Sequence, residues 1–185
     1  MVPVLSLWVP ILLSAVFVFI ASSILHMVLP IHRSDFKKVP KEDEFLETMR
    51  RFNIAPGDYR VPCPGSPSAM KDPAFVEKVK RGPLVIMTVA GGGMSMTSNL
   101  IQWFFHSIVV SVFAAYIAGR AVPAGTDYLQ VFRFAGCTAF VGYSLALPQF
   151  SIWDRRNWGT TLKRMFDGLI YGLLTAGTFG WLWPR

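Results

Sequence analysis

Four long runs of apolar residues constrain this chain more than any other feature of its sequence. They cover residues 5–30, 98–119, 128–147 and 165–183. A helix rises about 1.5 Å per residue, so about 20 apolar residues cross a bilayer core of about 30 Å. Each run meets that length, the last only narrowly. The sequence therefore predicts an all-α membrane protein with four transmembrane helices.

Charged residues are few and unevenly distributed. Only 16% of the 185 residues are charged, against about 25% in a soluble domain. Of the 18 Lys and Arg residues, eleven fall in the loop 33–97 and four in the loop 149–164. Cytoplasmic loops carry such an excess. We therefore expect both loops in the cytoplasm and both termini in the periplasm.

The basic excess also bears on binding partners. A net charge of +7 could indicate nucleic acid, but its concentration on one side of the spans indicates membrane topology instead. Basic loops next to a bilayer also attract anionic lipid headgroups. We expect anionic lipids at the cytoplasmic face and no nucleic acid.

The four runs divide the chain into three regions. Residues 1–32 hold the first transmembrane span, residues 33–97 form a cytoplasmic loop of about 65 residues, and residues 98–185 form a three-span helical bundle. A loop of this size has too few core positions to be a stable domain on its own. We expect it to lie against the bundle or against a partner.

The loop 33–97 contains three patterns of regular structure. Residues 41–53 place apolar side chains at helical spacing, with acidic residues first and basic residues last, which predicts a short amphipathic helix. Asp72 and Pro73 are typical of the beginning of a second short helix, which ends at Gly82. The run 84–89 can pair with residues 59–61 as a small β-hairpin.

Small residues recur at every fourth position in two of the spans. Residues four apart share a helix face, and small side chains there let two backbones approach closely. These residues are therefore predicted to form helix-packing faces, within the chain or between chains. The two faces consist of Ser107, Ser111, Ala115 and Gly119 in the second span, and Gly168, Gly172, Ala176 and Gly180 in the fourth.

Two histidines lie within the predicted spans. An ionisable residue inside a membrane is a candidate functional residue, and histidines on two helices can bind a haem or a chlorophyll-type pigment. His26 and His106 are therefore candidate cofactor-binding residues. The alternative is that each is a neutral histidine bonded to a nearby carbonyl or hydroxyl group. His32, beside Arg33 at the interface, is expected to contact lipid headgroups.

The acidic residues near the spans do not indicate a catalytic or transport function. Asp127, Asp154 and Asp167 all fall at span ends, and Asp167 is predicted to lie in the first turn of its helix, neutralised by Lys163 or Arg164. The middle of each span lacks charge, which argues against proton pumps and ion-coupled transporters. The sequence has no convincing nucleophile–base arrangement, so we predict no catalytic residues, no metal ligands and no enzymatic activity.

Several short strings resemble a family of small bacterial membrane proteins of uncharacterised function. The strings are HRSD at 32–35, RFAG at 133–136, FDGLIY at 166–171 and GWLWP at 180–184. The resemblance covers nearly the whole chain and implies a multi-pass protein of the bacterial inner membrane. It implies no activity, ligand or catalytic residue.

Three functions follow from these observations as expectations. The first is a non-enzymatic accessory or structural subunit of a larger bacterial membrane complex, with a respiratory or photosynthetic complex as a natural host and other integral membrane subunits as partners. No cofactor is expected in that case. The second is a haem- or pigment-binding membrane protein that uses His26 and His106. The third is a small transporter or channel, which the lack of mid-membrane charge disfavours.

Overall fold

The computed structural model describes residues 1–93 and 95–185. It separates into two compact units along the chain. The first, which we call the bundle unit, comprises Met1–Phe36 and Ser95–Arg185, and the second, the small unit, is Lys37–Met94. Met94, part of the predicted loop 33–97, lies outside the described residues.

The chain is mostly helical, with one pair of short strands among the described residues. In chain order the elements are α1 (Trp8–Ser23), α2 (Glu42–Phe52), β1 (Gly57–Val61), α3 (Pro73–Arg81), β2 (Val85–Val89), α4 (Met96–Ala121), α5 (Tyr128–Phe140), α6 (Pro148–Trp153) and α7 (Trp158–Trp181). A π-helical turn, Ile24–Val28, extends α1, and a second one, Val141–Leu145, follows α5. A short 3₁₀ turn, Pro30–His32, comes after α1.

Among the described residues, three helical stretches are long and apolar enough to cross a membrane. They are Val4–Val28, Met96–Ala121 and Tyr128–Trp153. The fourth predicted span, 165–183, begins within α7 and is not among them. This helix starts at Trp158, seven residues before the apolar run, and carries Lys163, Arg164 and Asp167 in its first half.

Side chains next to the helices fix where several of them begin. The Asp127 carboxylate accepts hydrogen bonds from the backbone N–H groups of residues 129 and 130 ahead of α5. The Asn157 side chain accepts one from Gly159 N at 2.8 Å and so begins α7. Such caps satisfy backbone donors that the first turn of a helix leaves free.

The bundle unit is built from four long helices, each in contact with two others. Helix α1 packs against α4 and α7, and α5 packs against the same two helices. Serine hydroxyls join α1 to α4 in the buried interior, where Ser14 donates to Ser111 over 2.9 Å. At one end, Val2 N donates to Gly119 O at 2.8 Å. The unit is thus a four-helix bundle held by close contacts between small residues.

The small unit contains two short helices and a two-stranded antiparallel sheet. Strand β1 pairs with β2 so that Gly57 lies opposite Val89 and Val61 opposite Val85. Asp72 caps α3 by accepting from Ala74 N at 2.9 Å, with proline at the first helical position. The burial pattern leaves both strands largely exposed.

Candidate functional site

A polar cluster joins the end of the α1 segment to the middle of α7 in the bundle unit. His26 lies in the π-helical turn, His32 in the 3₁₀ turn, and Asp167 on α7. His32 Nε2 lies 3.0 Å from Asp167 Oδ2, and His26 Nε2 lies 3.9 Å from the same oxygen. One ligating atom from each of the three residues falls within 4.8 Å of the others. We call these three residues the His–Asp cluster.

Lys163 holds the chain after the 3₁₀ turn against α7. Its ammonium group donates to the Ile31 carbonyl and the Ser34 hydroxyl at 2.8 Å each, and to Asp35 Oδ1 at 3.1 Å. Asp35 in turn lies 2.8 Å from His32 Nδ1 through its other oxygen. This contact orients the His32 ring. One lysine therefore positions both the backbone and the carboxylate that support the His–Asp cluster.

The Asp35 carboxylate is set up to stay ionised. Its side chain is only 3% exposed, and burial opposes ionisation. The hydrogen bonds from His32 and Lys163, with the charges of the two groups, outweigh that effect and hold the pKa of Asp35 below its ordinary value. An ionised carboxylate only accepts hydrogen bonds, so His32 Nδ1 is the donor of this pair.

In both His26 and His32, Nδ1 faces a hydrogen-bond acceptor and Nε2 faces Asp167. His26 Nδ1 lies 3.1 Å from the carbonyl oxygen of Ser22, which can only accept. In both histidines Nδ1 therefore carries a proton, and in the neutral form of each ring Nε2 holds the lone pair. The rings lie parallel, with centroids 4.2 Å apart and an angle of 2° between their planes.

Several polar atoms in this region are buried without a hydrogen-bond partner. They include both carboxylate oxygens of Asp167, Nε2 of His32, Nε of Arg164 and the hydroxyl of Tyr171. Asp167 is only 3% exposed through its side chain. Buried polar groups in folded proteins are nearly always paired. The unpaired atoms make this region the candidate ligand site of the bundle unit.

A cavity of about 600 Å³ opens beside the His–Asp cluster within the bundle unit. Its wall is apolar at Met96, Leu100 and Leu147, and aromatic at Trp103 and Tyr143. His26, Asp167, Arg164 and Tyr171 contribute its polar part. A mostly apolar cavity of this size with a few convergent polar groups is the usual form of a small-molecule site.

The predicted cofactor residues His26 and His106 both line this cavity, but they differ in their surroundings. His106 packs near Trp103 and Tyr143, with ring centroids 5.6 and 5.9 Å away. His26 instead engages the Ser22 carbonyl and faces Asp167. The close partner of His26 is thus His32, which the sequence assigned to lipid headgroups. Haem or pigment binding by His26 and His106 stays a prediction.

The predicted helix-packing residues lie at helix contacts within the chain. Ser107, Ser111, Ala115 and Gly119 are buried in α4, and Gly168, Gly172 and Ala176 are buried in α7, while Gly180 is partly buried. A Cβ atom on Gly180 would approach the Tyr128 ring to 2.7 Å, and one on Gly172 would meet Phe140 N at 3.3 Å. These contacts leave no room for larger side chains.

Asp167 differs most from its expected position. It was predicted in the first turn of its helix, paired with Lys163 or Arg164. Because α7 begins at Trp158, Asp167 lies well inside the helix, and Lys163 pairs with Asp35 instead. The polar residues before the apolar run continue the helix, which hydropathy alone does not reveal. The sequence did single out the strings HRSD and FDGLIY, which contain His32, Asp35 and Asp167, but it did not predict that these residues lie together.

No family model, curated protein or solved structure matches this chain. Its proposed role therefore rests on the geometry of its own residues. The resemblance to small bacterial inner-membrane proteins stays a prediction.

Proposed function

We propose that this chain is a four-span membrane protein that binds a lipid-soluble molecule in the cavity of its bundle unit. The molecule has an apolar body and a head group with hydrogen-bond-accepting oxygens. The observation that carries this proposal is the pairing of an apolar cavity wall with two unpartnered donors, Arg164 Nε and the Tyr171 hydroxyl. Both donors need an acceptor that none of the described residues provides.

The location of the cavity supports a ligand that arrives from the membrane. Trp103, Leu100 and Met96 belong to α4, which is one of the three candidate spans. His26 lies in the last turn of another. An amphipathic molecule in the bilayer can keep its apolar body at membrane depth while its head group reaches Arg164. A fully water-soluble ligand would gain nothing from the apolar wall.

Native mass spectrometry of the detergent-purified protein tests this proposal. Two probes separate the sources of acceptor oxygens: decyl-benzoquinone offers carbonyls, and phosphatidylglycerol offers a phosphate. We expect one molecule of at least one probe to stay bound, and Leu100→Trp, which narrows the cavity, to abolish retention. Val109→Trp is the matched control, because Val109 is an exposed residue of the same helix outside the cavity. Equal retention by both variants, or none by the wild type, would contradict the proposal.

The proposed topology has α7 as the fourth span, with the loop 33–97 in the cytoplasm of a bacterial cell and both termini in the periplasm. Packing of α7 against α1 and α5 supports this, as does the charge asymmetry of the loops. Cys63 in the small unit is exposed. In a Cys137→Ser background, a membrane-impermeant maleimide should label Cys63 only after the inner membrane is permeabilised. Labelling of Cys63 in intact spheroplasts would contradict this orientation and place the loop 33–97 in the periplasm.

The accessory-subunit role stays a prediction beside this proposal, together with the absence of enzymatic activity. Its direct test is extraction in a mild detergent, followed by size exclusion with visible absorbance recorded. Other polypeptides in the same peak would support a membrane complex and identify it. A single peak at the mass of the chain would contradict that role and leave ligand binding unaffected.

A further inference from the structure

We propose that the His–Asp cluster is a binding site for one divalent transition-metal ion, with Zn²⁺ as its test ion. The ligands are Nε2 of His26, Nε2 of His32 and a carboxylate oxygen of Asp167. This inference goes beyond the proposed lipid-soluble ligand and does not depend on it, because the three ligands are defined by their own geometry.

The contact between His32 and Asp167 is the first argument. Their atoms Nε2 and Oδ2 are 3.0 Å apart, yet the pair lacks the alignment of a hydrogen bond. With Nδ1 donating to Asp35, the neutral form of the His32 ring has a lone pair on Nε2, which faces the Asp167 carboxylate. In that form two acceptors this close repel each other unless a metal ion, or a second ring proton, lies between them. Ligands of a four-coordinate zinc ion stand about 3.3 Å apart, given bond lengths of about 2.0–2.1 Å.

The support around the ligands is the second argument. Histidines that bind metals usually donate the other ring N–H to a carboxylate or a backbone carbonyl, which fixes the ring and its tautomer. His32 has Asp35 in that role, at 2.8 Å, and His26 has the Ser22 carbonyl, at 3.1 Å. Lys163 anchors Asp35 in turn. Each histidine therefore already makes the hydrogen bond through Nδ1 that usually orients a metal-binding histidine.

Charge favours a cation at the same point. Asp35 and Asp167 contribute two negative charges and Lys163 and Arg164 two positive ones, but Lys163 is bound to Asp35, which leaves Asp167 as the anion beside the Nε2 atoms. The Asp167 carboxylate is 3% exposed and accepts no hydrogen bond from the described residues, although His32 Nε2 lies 3.0 Å from it. A buried carboxylate left without compensation is costly. A divalent ion would satisfy both Asp167 and the Nε2 atoms of the histidines.

The chemical types of the three ligands limit which metal ions can bind. Two imidazole nitrogens and one carboxylate suit Zn²⁺ and related first-row ions, whereas Ca²⁺ and Mg²⁺ take oxygen ligands. Three protein ligands leave at least one coordination position open. Since His26 and Asp167 line the cavity, that position faces the cavity.

Binding requires one ring to turn. Two parallel rings cannot both aim their in-plane lone pairs at a single ion. His32 is fixed by Asp35 and its side chain is 10% exposed, whereas the His26 side chain is 45% exposed. We therefore assign the movement to His26, whose Nε2 must also approach Asp167 from 3.9 Å.

Zinc titration of the purified full-length chain, with any affinity tag removed, tests the site by calorimetry. The wild type should bind one Zn²⁺ per chain. His32→Gln and Asp167→Asn should each weaken binding by more than about 100-fold, beyond the effect of losing a supporting contact. His106→Gln is the matched control, because His106 lines the same cavity outside the His–Asp cluster, and it should bind as the wild type does.

A second measurement keeps the proposal testable if a variant fails to fold. Co²⁺ bound to the wild type should give visible ligand-field bands that one equivalent of Zn²⁺ removes. Either of two results would overturn the proposal: no saturable binding to the folded wild type, or binding that His106→Gln weakens as much as His32→Gln. A ¹⁵N spectrum that shows both His32 nitrogens protonated while Zn²⁺ fails to bind would identify the cluster as an ion-pair network instead.

Discussion

Nε2 of His32 and Oδ2 of Asp167 lie 3.0 Å apart, and neither atom has a hydrogen-bond partner. The two residues come from opposite ends of the bundle unit in sequence, one just after α1 and the other within α7. Their approach depends on Lys163, which holds the turn after α1 against α7.

Asp35 should tune metal binding without touching the metal. Asp35→Asn removes the charge that orients His32 and should weaken Zn²⁺ binding by about 10–100-fold, the usual effect of losing such a support. The same calorimetric titration measures the change. Asp154→Asn, which removes an exposed carboxylate elsewhere in the bundle unit, serves as the control. Equal affinities for the two variants would show that Asp35 does not position His32.

Lys163 should stabilise the bundle unit. Lys163→Met deletes three hydrogen bonds, and we expect a loss of about 1–2 kcal/mol in the free energy of unfolding, since partial exposure screens the charged contacts. Thermal unfolding in detergent, followed by circular dichroism, measures the effect. Arg33→Met removes an exposed positive charge nearby and should leave the melting temperature unchanged. A similar shift for both variants would point to net charge rather than to these bonds.

Two glycines of α7 should respond in opposite ways to the same substitution. A Cβ on Gly168 would overlap the Ser144 hydroxyl and lie 3.0 Å from Tyr143 Cβ, so Gly168→Ala should destabilise by about 1–3 kcal/mol. At Gly177 the nearest atom is 3.5 Å away. Gly177→Ala should be neutral or stabilise by up to about 1 kcal/mol, because alanine favours the helix.

Thermal unfolding of the two glycine variants side by side compares them directly. Equal tolerance of alanine at residues 168 and 177 would contradict the close contact of α7 with the Val141–Leu145 turn.

Much of the fold follows from sequence because its causes are local. Apolar runs and capping residues such as Asp72 identify helices through hydropathy and hydrogen bonding to nearby backbone. The three candidate spans lie close to the first three predicted runs. Whether α7 crosses a membrane does not follow from these signals, because its polar first half lowers its hydropathy.

The candidate site depends on contacts that local patterns do not encode. His32 and Asp35 follow the first span, and their role appears only once the 3₁₀ turn folds back toward Lys163. Asp167 was misplaced because its helix begins before the apolar run, at a cap formed by Asn157. The sequence predicted His26 as a candidate cofactor-binding residue because it lies within a span, and it paired that residue with His106 rather than with His32.

Trp103 should link α1 to α4 and shape the cavity wall. Its Nε1 donates to the Ser22 hydroxyl at 2.8 Å. Trp103→Phe should lower stability by about 0.6–1.7 kcal/mol, the range for hydrogen bonds between membrane helices, and should reduce retention of the lipid-soluble probe. Trp181→Phe is the control: it alters a tryptophan that is 68% exposed, and it should change neither the stability nor the retention of the probe. If Trp103→Phe retained the probe as well as the wild type does, Trp103 would not contribute to binding in the cavity.

X-ray absorption at the zinc edge of the zinc-loaded wild-type protein decides whether His26, His32 and Asp167 bind the ion, because it identifies the ligand atoms rather than the affinity. We expect only nitrogen and oxygen ligands at about 2.0–2.2 Å from the zinc, with the outer-shell signals of two imidazole rings. The signal of one imidazole should disappear in His32→Gln and persist in His106→Gln. A shell that contains sulfur, or one without imidazole, would contradict a site built from His26, His32 and Asp167.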